Sequence, residues 1–205
     1  MVSLNKQVAL FIILSFALIG CGRRVLEDKP RDITVPLCDG DIAFRRGYGV
    51  ASEAVIMTNN RGSYSHVGVV VNYNGEWCVA HAVPYESDNR SDDRVYCQPI
   101  GEFFSSVKAQ CGAIYRMDID SVQLSAIELF VMSHVEAQTP FDHKYTLGDE
   151  EKLYCSELVW CAYNRAGIDL TDGRRTTVTI PPFDGVHIMP ADIELNDNLK
   201  LVYSF

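Results

Sequence analysis

The stretch "SHVGVVVNYNGEWCVAHAV", Ser65 to Val83, constrains the fold more than any other part of the chain. Its valine-rich runs, His66–Val71 and Glu76–Ala82, have strand composition. Asn74-Gly75 between them is a strong hairpin signal. Two registers fit. A loop of Asn72 to Gly75 pairs Val71 with Glu76 and sets His66 opposite His81. A loop of Asn74-Gly75 alone pairs Tyr73 with Glu76 and sets Gly68 opposite His81. Side chains alternate with period two along a strand, so either register leaves His66 and His81 on one sheet face.

The remaining segments fit around that hairpin. "PLCDGDIAFRRG" reads as a turn at Asp39-Gly40 and a strand over Ile42–Phe44. "GVASEAVIMTNN", Gly49 to Asn60, reads as a short helix that Asn59 to Gly62 breaks. A polar loop, Tyr85 to Arg94, leads to a strand and turn in "VYCQPIGEFF" and a further strand in "GAIYRMDI". "DSVQLSAIELFVMSHVEAQ" has a capping-box start, Asp120 and Gln123, and apolar Leu124, Ile127, Val131 and Val135 at helical spacing. Pro140 ends it, and "FDHKYTLGDEEK" loops into a second helix, "LYCSELVWCAYNRAG", stopped by Gly167. "GRRTTVTIPPFDG" reads as loop, and a final strand falls within Leu199–Tyr203. Strands, two helices and a closing strand predict an α+β domain with a mainly antiparallel sheet.

The first twenty residues stand apart. After Lys6, "VALFIILSFALI" is an apolar run too short to span a bilayer, and it reads as the core of a signal peptide. It ends in "LIGC", Leu18 to Cys21, which resembles the bacterial lipobox, where cleavage precedes a cysteine that then carries lipid. The expected organisation is a lipoprotein signal peptide over 1–20, a lipid-anchored tether over 21–36 and one folded domain over 37–205. The implied location is the bacterial cell envelope, with the membrane reached through lipid on Cys21 and the leaflet open. A net charge of −9 argues against nucleic acid as a partner, since phosphate binding needs surplus Lys and Arg. Cys38, Cys78, Cys97, Cys111, Cys155 and Cys161 form no CxxC pair, which argues against a cysteine-rich zinc site, and their spacings match no small disulfide scaffold. Their pairing stays open.

In the second helix, Leu158, Val159, Ala162 and Ala166 share a face with Cys155, which opens the helix; Cys161 lies about 120° away and reads as packing. A cysteine at a helix start has its thiolate favoured by the dipole and the unbonded N–H groups. A neighbouring imidazole would serve as base, and that imidazole needs a third group to fix its tautomer. His66 is the candidate base and His81 the candidate orienter, provided the helix packs on that part of the sheet.

"GDIAF", "SHVGVVV", "CVAHAV" and "LYCSELVWCAYNRAGIDL" together resemble the YiiX/YebB-like permuted papain-fold proteins, grouped with NlpC-type cell-wall hydrolases and lecithin:retinol acyltransferase-like enzymes. The resemblance runs from about Gly40 to Leu170. It implies a circularly permuted papain-like fold, an antiparallel sheet or small barrel packed against the nucleophile helix, with the histidine strand before the cysteine helix. It places Cys155 as nucleophile and His66 as base. His81 takes the third position, where many permuted relatives carry Glu. The implied reaction is attack on an amide, ester or thioester carbonyl, with the oxyanion held by backbone N–H groups that include that of Cys155. Tyr154 and Tyr145 are side-chain candidates for the oxyanion or the cleft. No cofactor is implied.

Cell-wall peptide is the leading substrate class. One alternative is an acyl-lipid hydrolase or acyltransferase; such relatives tend to expose apolar segments, and none is expected here beyond the signal. The other is a non-catalytic module on the same fold, or one in which Cys155, His66 and His81 hold a metal. His134, His143 and Asp142 read as ordinary surface or loop residues, and Glu157 as a favourable charge at the helix start.

Overall fold

The hairpin lies inside the sheet rather than at its edge. The computed structural model describes residues 27–58, 61–84, 93–179, 181 and 183–205; the signal segment 1–20, Cys21 and most of the Tyr85–Arg94 loop lie outside the described residues. In chain order the elements are β1 (Ile42–Arg46), α1 (Gly49–Thr58), β2 (His66–Tyr73), β3 (Glu76–Val83), β4 (Arg94–Pro99), α2 (Ile100–Phe103) and β5 (Cys111–Arg116). There follow α3 (Ser121–Glu136), α4 (Cys155–Arg165), β6 (Thr176–Val178), β7 (Gly185–His187), α5 (Pro190–Glu194) and β8 (Lys200–Ser204). The main sheet runs β4-β3-β2-β1-β5-β8, antiparallel throughout, and β6-β7 form a separate pair. This is the α+β class with an antiparallel sheet. The sheet is open, with β4 and β8 at its edges.

Tyr73 pairs with Glu76, which selects the tighter of the two registers. Asn74 and Gly75 both take positive φ, 54° and 88°, as a two-residue type I′ turn requires. Gly68 therefore faces His81. A Cβ built on Gly68 would come within 2.5 Å of Val79 Cγ1 and 2.9 Å of His81 Cβ, so only glycine allows β3 this close.

Alternation divides the sheet into two apolar faces. Ile42, Phe44, Val67, Val69 and Ala80 point to one face, where α3 and α4 cover them with Ile127, Val131, Leu158 and Val159. Ala43, Val70, Val79 and Ile114 point to the other, covered by Ile100, Phe103 and Phe104. His66 and His81 belong to this second face, and their rings contact Phe103 at centroid distances of 5.8 and 5.1 Å. The cysteine helix therefore packs on the expected part of the sheet but from the opposite face. Cys155 and His66 come onto one cleft at the end of the sheet, not across its surface.

The helix starts carry the expected chemistry. Asp120 caps α3 by accepting from the amides of Val122 and Gln123, while Gln123 Oε1 accepts from the Asp120 amide at 3.0 Å. Gly167 follows α4 with φ 76°, a left-handed stop. Cys161 is core packing, but it does not turn toward solvent: α3 covers that side, and α4 is buried through most of its length. Tyr154, before α4, offers no side-chain cap. Glu157 ties this end down instead, its Oε1 accepting from the Gly148 amide at 2.7 Å and the carboxylate also accepting from the Tyr154 amide.

Three regions depart from the sequence reading. The "GRRTTVTIPPFDG" segment contributes β6 and the approach to β7, strands of three residues that are too short to show a period. Helix α5 has Pro190 at its start and a buried Asp192, whose carboxylate accepts from Thr176 Oγ1 and the Met189 amide, both at 2.9 Å. Residues 27–36, read as tether, lie along the second face: the Arg31 amide donates to the Gly101 carbonyl at 2.9 Å, and Ile33 joins that core.

Two outcomes test this packing. Gly68→Ala overpacks the β2–β3 contact and lowers stability by about 1–3 kcal/mol, read as a reduced urea midpoint at unchanged slope. Burial pushes the Glu157 carboxyl from 4.5 up to about 7, against the Gly148 and Tyr154 hydrogen bonds and with help from Asp142 and Asp149. The folded chain thus keeps a proton that the unfolded chain loses near pH 4.5, so stability is greatest below 4.5 and declines until pH reaches about 7. Glu157→Gln flattens that decline in melting temperature between pH 5 and 8; a slope like that of the parent would assign the effect to other groups.

Candidate active site

A cleft of about 290 Å³ opens where β2 begins, and Cys155, His66 and Arg45 all line it. Each reaches it for a separate reason. Cys155 is the first residue of α4, where the backbone N–H has no intrahelical acceptor. His66 is the first residue of β2, paired with Arg45 near the end of β1. The β2–β3 ladder runs from Tyr73–Glu76 only to Val69–Ala80. Beyond it the Val67 amide, no longer paired with β3, hydrogen-bonds Cys155.

The thiol environment runs against the sequence expectation. Burial pushes the Cys155 thiol above its ordinary 9.0, outweighing the hydrogen bonds from Val67 and Ser156 and the attraction of the Arg45 charge. The helix start favours the thiolate without overcoming desolvation, so the isolated sulfur rests protonated and needs an acceptor for its proton.

His66 Nε2 lies 2.8 Å from His81 Nδ1, with the rings near perpendicular at 76°. Exactly one proton can occupy such a contact, so one imidazole donates and the other accepts. His81 is fully buried and packs against the rings of Tyr96 and Phe103, at 5.0 and 5.1 Å. It stands behind His66 and does not line the cleft. The two histidines are thus neighbours by hydrogen bond although offset in register, because Gly68 leaves the space between them without a side chain.

Arg45 is the residue that sequence reasoning missed. It is buried at the level of His66, donates from Nη1 to the Phe103 carbonyl at 2.9 Å and holds its guanidinium 4.5 Å from the Phe103 ring centroid. In "IAFRR" it looks like one of two exposed strand-end arginines; only the β1–β2 pairing shows that it shares the His66 face.

The two tyrosines both line the cleft, in different ways. Tyr154 is almost completely buried, and its hydroxyl accepts from the Ile188 amide at 3.1 Å, fixing the segment before α5. Tyr145 sits at φ 56° and packs its ring against Phe141, Tyr154 and Phe183 as an aromatic wall. Asp142 holds its own loop by accepting from the Lys144 amide at 2.8 Å and from that of Thr146. His134 bonds Thr139 at 2.8 Å and His143 approaches Asp93 at 3.1 Å, and neither lines the cleft.

A metal does not fit these side chains. His66 and His81 direct nitrogens at each other, and among the described residues no three His, Cys, Asp or Glu side chains are grouped as a ligand set. None of the six cysteines among the described residues is in a disulfide. What the cleft does offer is a sulfur, an imidazole and backbone donors, a set suited to acyl transfer.

Residues 37–180 match the C92 peptidase family, described as permuted papain-like amidase enzymes of the YaeF/YiiX type. The fold is similar to the crystal structure of the metalloprotein YiiX from Escherichia coli O157:H7, with a TM-score of 0.66 and 19% identity over 82% of this chain and 97% of that chain. No curated protein sequence matches the chain. The family match covers most of the domain, and the strand order, with His66 before the Cys155 helix, is that of a permuted papain fold: the chain belongs to the C92 family of permuted papain-like cysteine amidases.

Proposed function

We propose that this chain is a lipid-anchored cysteine amidase acting on cell-wall peptides, with Cys155 as nucleophile, His66 as base and His81 as orienter. The observation that carries this reading is geometric: Cys155 and His66 line one cleft, while His66 Nε2 is held 2.8 Å from His81 Nδ1. With Nε2 engaged, proton exchange with sulfur falls to His66 Nδ1. Cys155 transfers its proton there as it attacks the amide carbon, and a C–S bond forms. The tetrahedral oxyanion accepts from the Cys155 backbone N–H. As the C–N bond breaks, His66 gives the proton to the departing amine. His66 then takes a proton from water, which attacks the thioester and regenerates the thiol.

The proposed roles imply the tautomers across this contact. His66 donates through Nε2–H both as neutral base and as imidazolium, so His81 must present an unprotonated Nδ1 throughout. A neutral His81 orients the base but adds no negative charge to stabilise the imidazolium. Arg45 acts on the other partner of the pair: its buried cation lines the same cleft and favours the thiolate.

Support for the anchor comes from "LIGC" directly after the apolar run, residues outside those described. A second reading, an acyl-lipid substrate, gains one observation. Contrary to the sequence expectation, helix α1 at the cleft exposes apolar side chains, with Val50 87% and Met57 78% exposed.

Digestion of purified peptidoglycan separates the readings. The parent protein releases peptide fragments, and Cys155→Ala lowers that rate by on the order of 10³-fold or more. Fatty-acid release from lipid with intact peptidoglycan would replace cell-wall peptide by the acyl-lipid substrate. Alkylation tests the electrostatics: Cys155 reacts faster than Cys161, and Arg45→Gln slows it severalfold at neutral pH while Arg45→Lys largely restores it. Equal rates in all three proteins would show that Arg45 does not favour the thiolate.

A further inference from the structure

Helix α1 breaks the usual pattern of a surface helix. Its sequence, GVASEAVIMT, has one charged residue, Glu53, which Arg46 holds at 2.9 Å. A helix at the surface is expected to turn a polar face to water. Here the outward stripe is Val50, Ala54 and Met57, spaced i, i+4 and i+7, with Tyr48 beside it 51% exposed. The inward side is already engaged: Ser52 Oγ lies 2.6 Å from Ser65 Oγ, and Val55 lines the cleft. The helix is therefore the rim of the cleft, with an apolar outer face.

The path of the chain identifies the apolar phase within reach. Ser106 Oγ donates to the Glu27 carbonyl at 3.1 Å and accepts from the Lys29 amide at 3.2 Å. The next residues, Val107 and Lys108, line the same cleft. Gln110 Nε2 donates to the Gly47 carbonyl at 2.8 Å, joining this segment to the start of α1. Glu27 is thus held beside the α1 rim. Six residue steps separate Glu27 from Cys21, a reach of at most about 22 Å. A lipid on Cys21 would hold this side of the domain close to the bilayer and leave α1 the nearest exposed apolar surface.

We infer that α1 docks on the surface of a lipid bilayer through Val50, Ala54 and Met57 and turns the cleft mouth toward the membrane. The inference rests on the lipid anchor in the proposed function. The contact is apolar rather than electrostatic, because a chain of net charge −9 gains nothing from an anionic surface. It places the cleft mouth at the bilayer surface, so substrates tethered to lipid are favoured over free ones.

The test uses the full chain in phosphatidylcholine vesicles whose acyl chains carry bromine, a short-range quencher of tryptophan. Met57→Trp reports on α1. Leu129→Trp, on the exposed side of α3 and 74% exposed in the parent, is the control. Emission of the parent, from Trp77 and Trp160, is subtracted. The expected result is a blue shift and at least twofold quenching for Met57→Trp, none for Leu129→Trp, and no loss in 0.5 M salt. Equal quenching at both positions, or at neither, overturns the docking. So does a Met57→Trp protein that elutes as a dimer and is blue-shifted without vesicles, which assigns α1 to a second copy. Mass spectrometry of Cys21 keeps the two readings apart: an acylated chain without quenching overturns the docking alone, whereas quenching without acylation upholds it and removes the anchor.

Discussion

Beyond the Val69–Ala80 pair, β2 and β3 stop sharing hydrogen bonds, and the Val67 amide turns to Cys155. The rest of the site follows from this parting. Helix α4 packs on one face of the sheet and the histidines lie on the other. A continuous ladder would keep the sulfur and the imidazole on separate sides of a sealed layer. Ending it early lets the first residue of α4 and the first residue of β2 open onto one cleft. Gly68 performs the complementary task further along, bringing β3 close enough for His81 to reach His66 across a position that has no side chain.

The electrostatics of the cleft balance rather than accumulate. Burial holds the thiol protonated, while two backbone donors and Arg45 oppose that. In the reading advanced here the third residue is a neutral imidazole, which supplies direction without charge. The balance then differs from that of a triad built on a carboxylate. Less charge separation is stabilised in the resting protein, and more of it has to develop with substrate bound, when the cleft is closed to water and fixed dipoles act most strongly.

Much of the fold is legible in the sequence because it rests on local rules. Asn74-Gly75, the Asp120–Gln123 capping box and Gly167 each specify a backbone geometry by themselves, and the elements they bound stand where the spacing predicts. The alternation rule places His66 and His81 on one face, and the register found supports that. Which face α4 covers is a different kind of fact. Both faces of β2 and β3 are apolar, so no hydrophobic pattern distinguishes them. Arg45 was hidden for the same reason, since its burial depends on a strand pairing and on Phe103, far along the chain. The short strands β6 and β7 have no measurable period. The apolar outer face of α1 could be read from its composition, yet apolar residues on a short helix ordinarily signal core, and only its placement shows them outside.

The burial of Cys155 has a consequence for the durability of the molecule. Oxidants and disulfides react with thiolates far faster than with thiols. Cys97 and Cys161 are each pushed up to about 12 by burial, and Cys155 is raised in the same direction. If Cys155 is the nucleophile, as proposed, the desolvation that makes it wait for a proton acceptor also shelters it between turnovers. Selectivity against stray electrophiles then comes from the burial of the sulfur itself, and among the described residues no disulfide protects it.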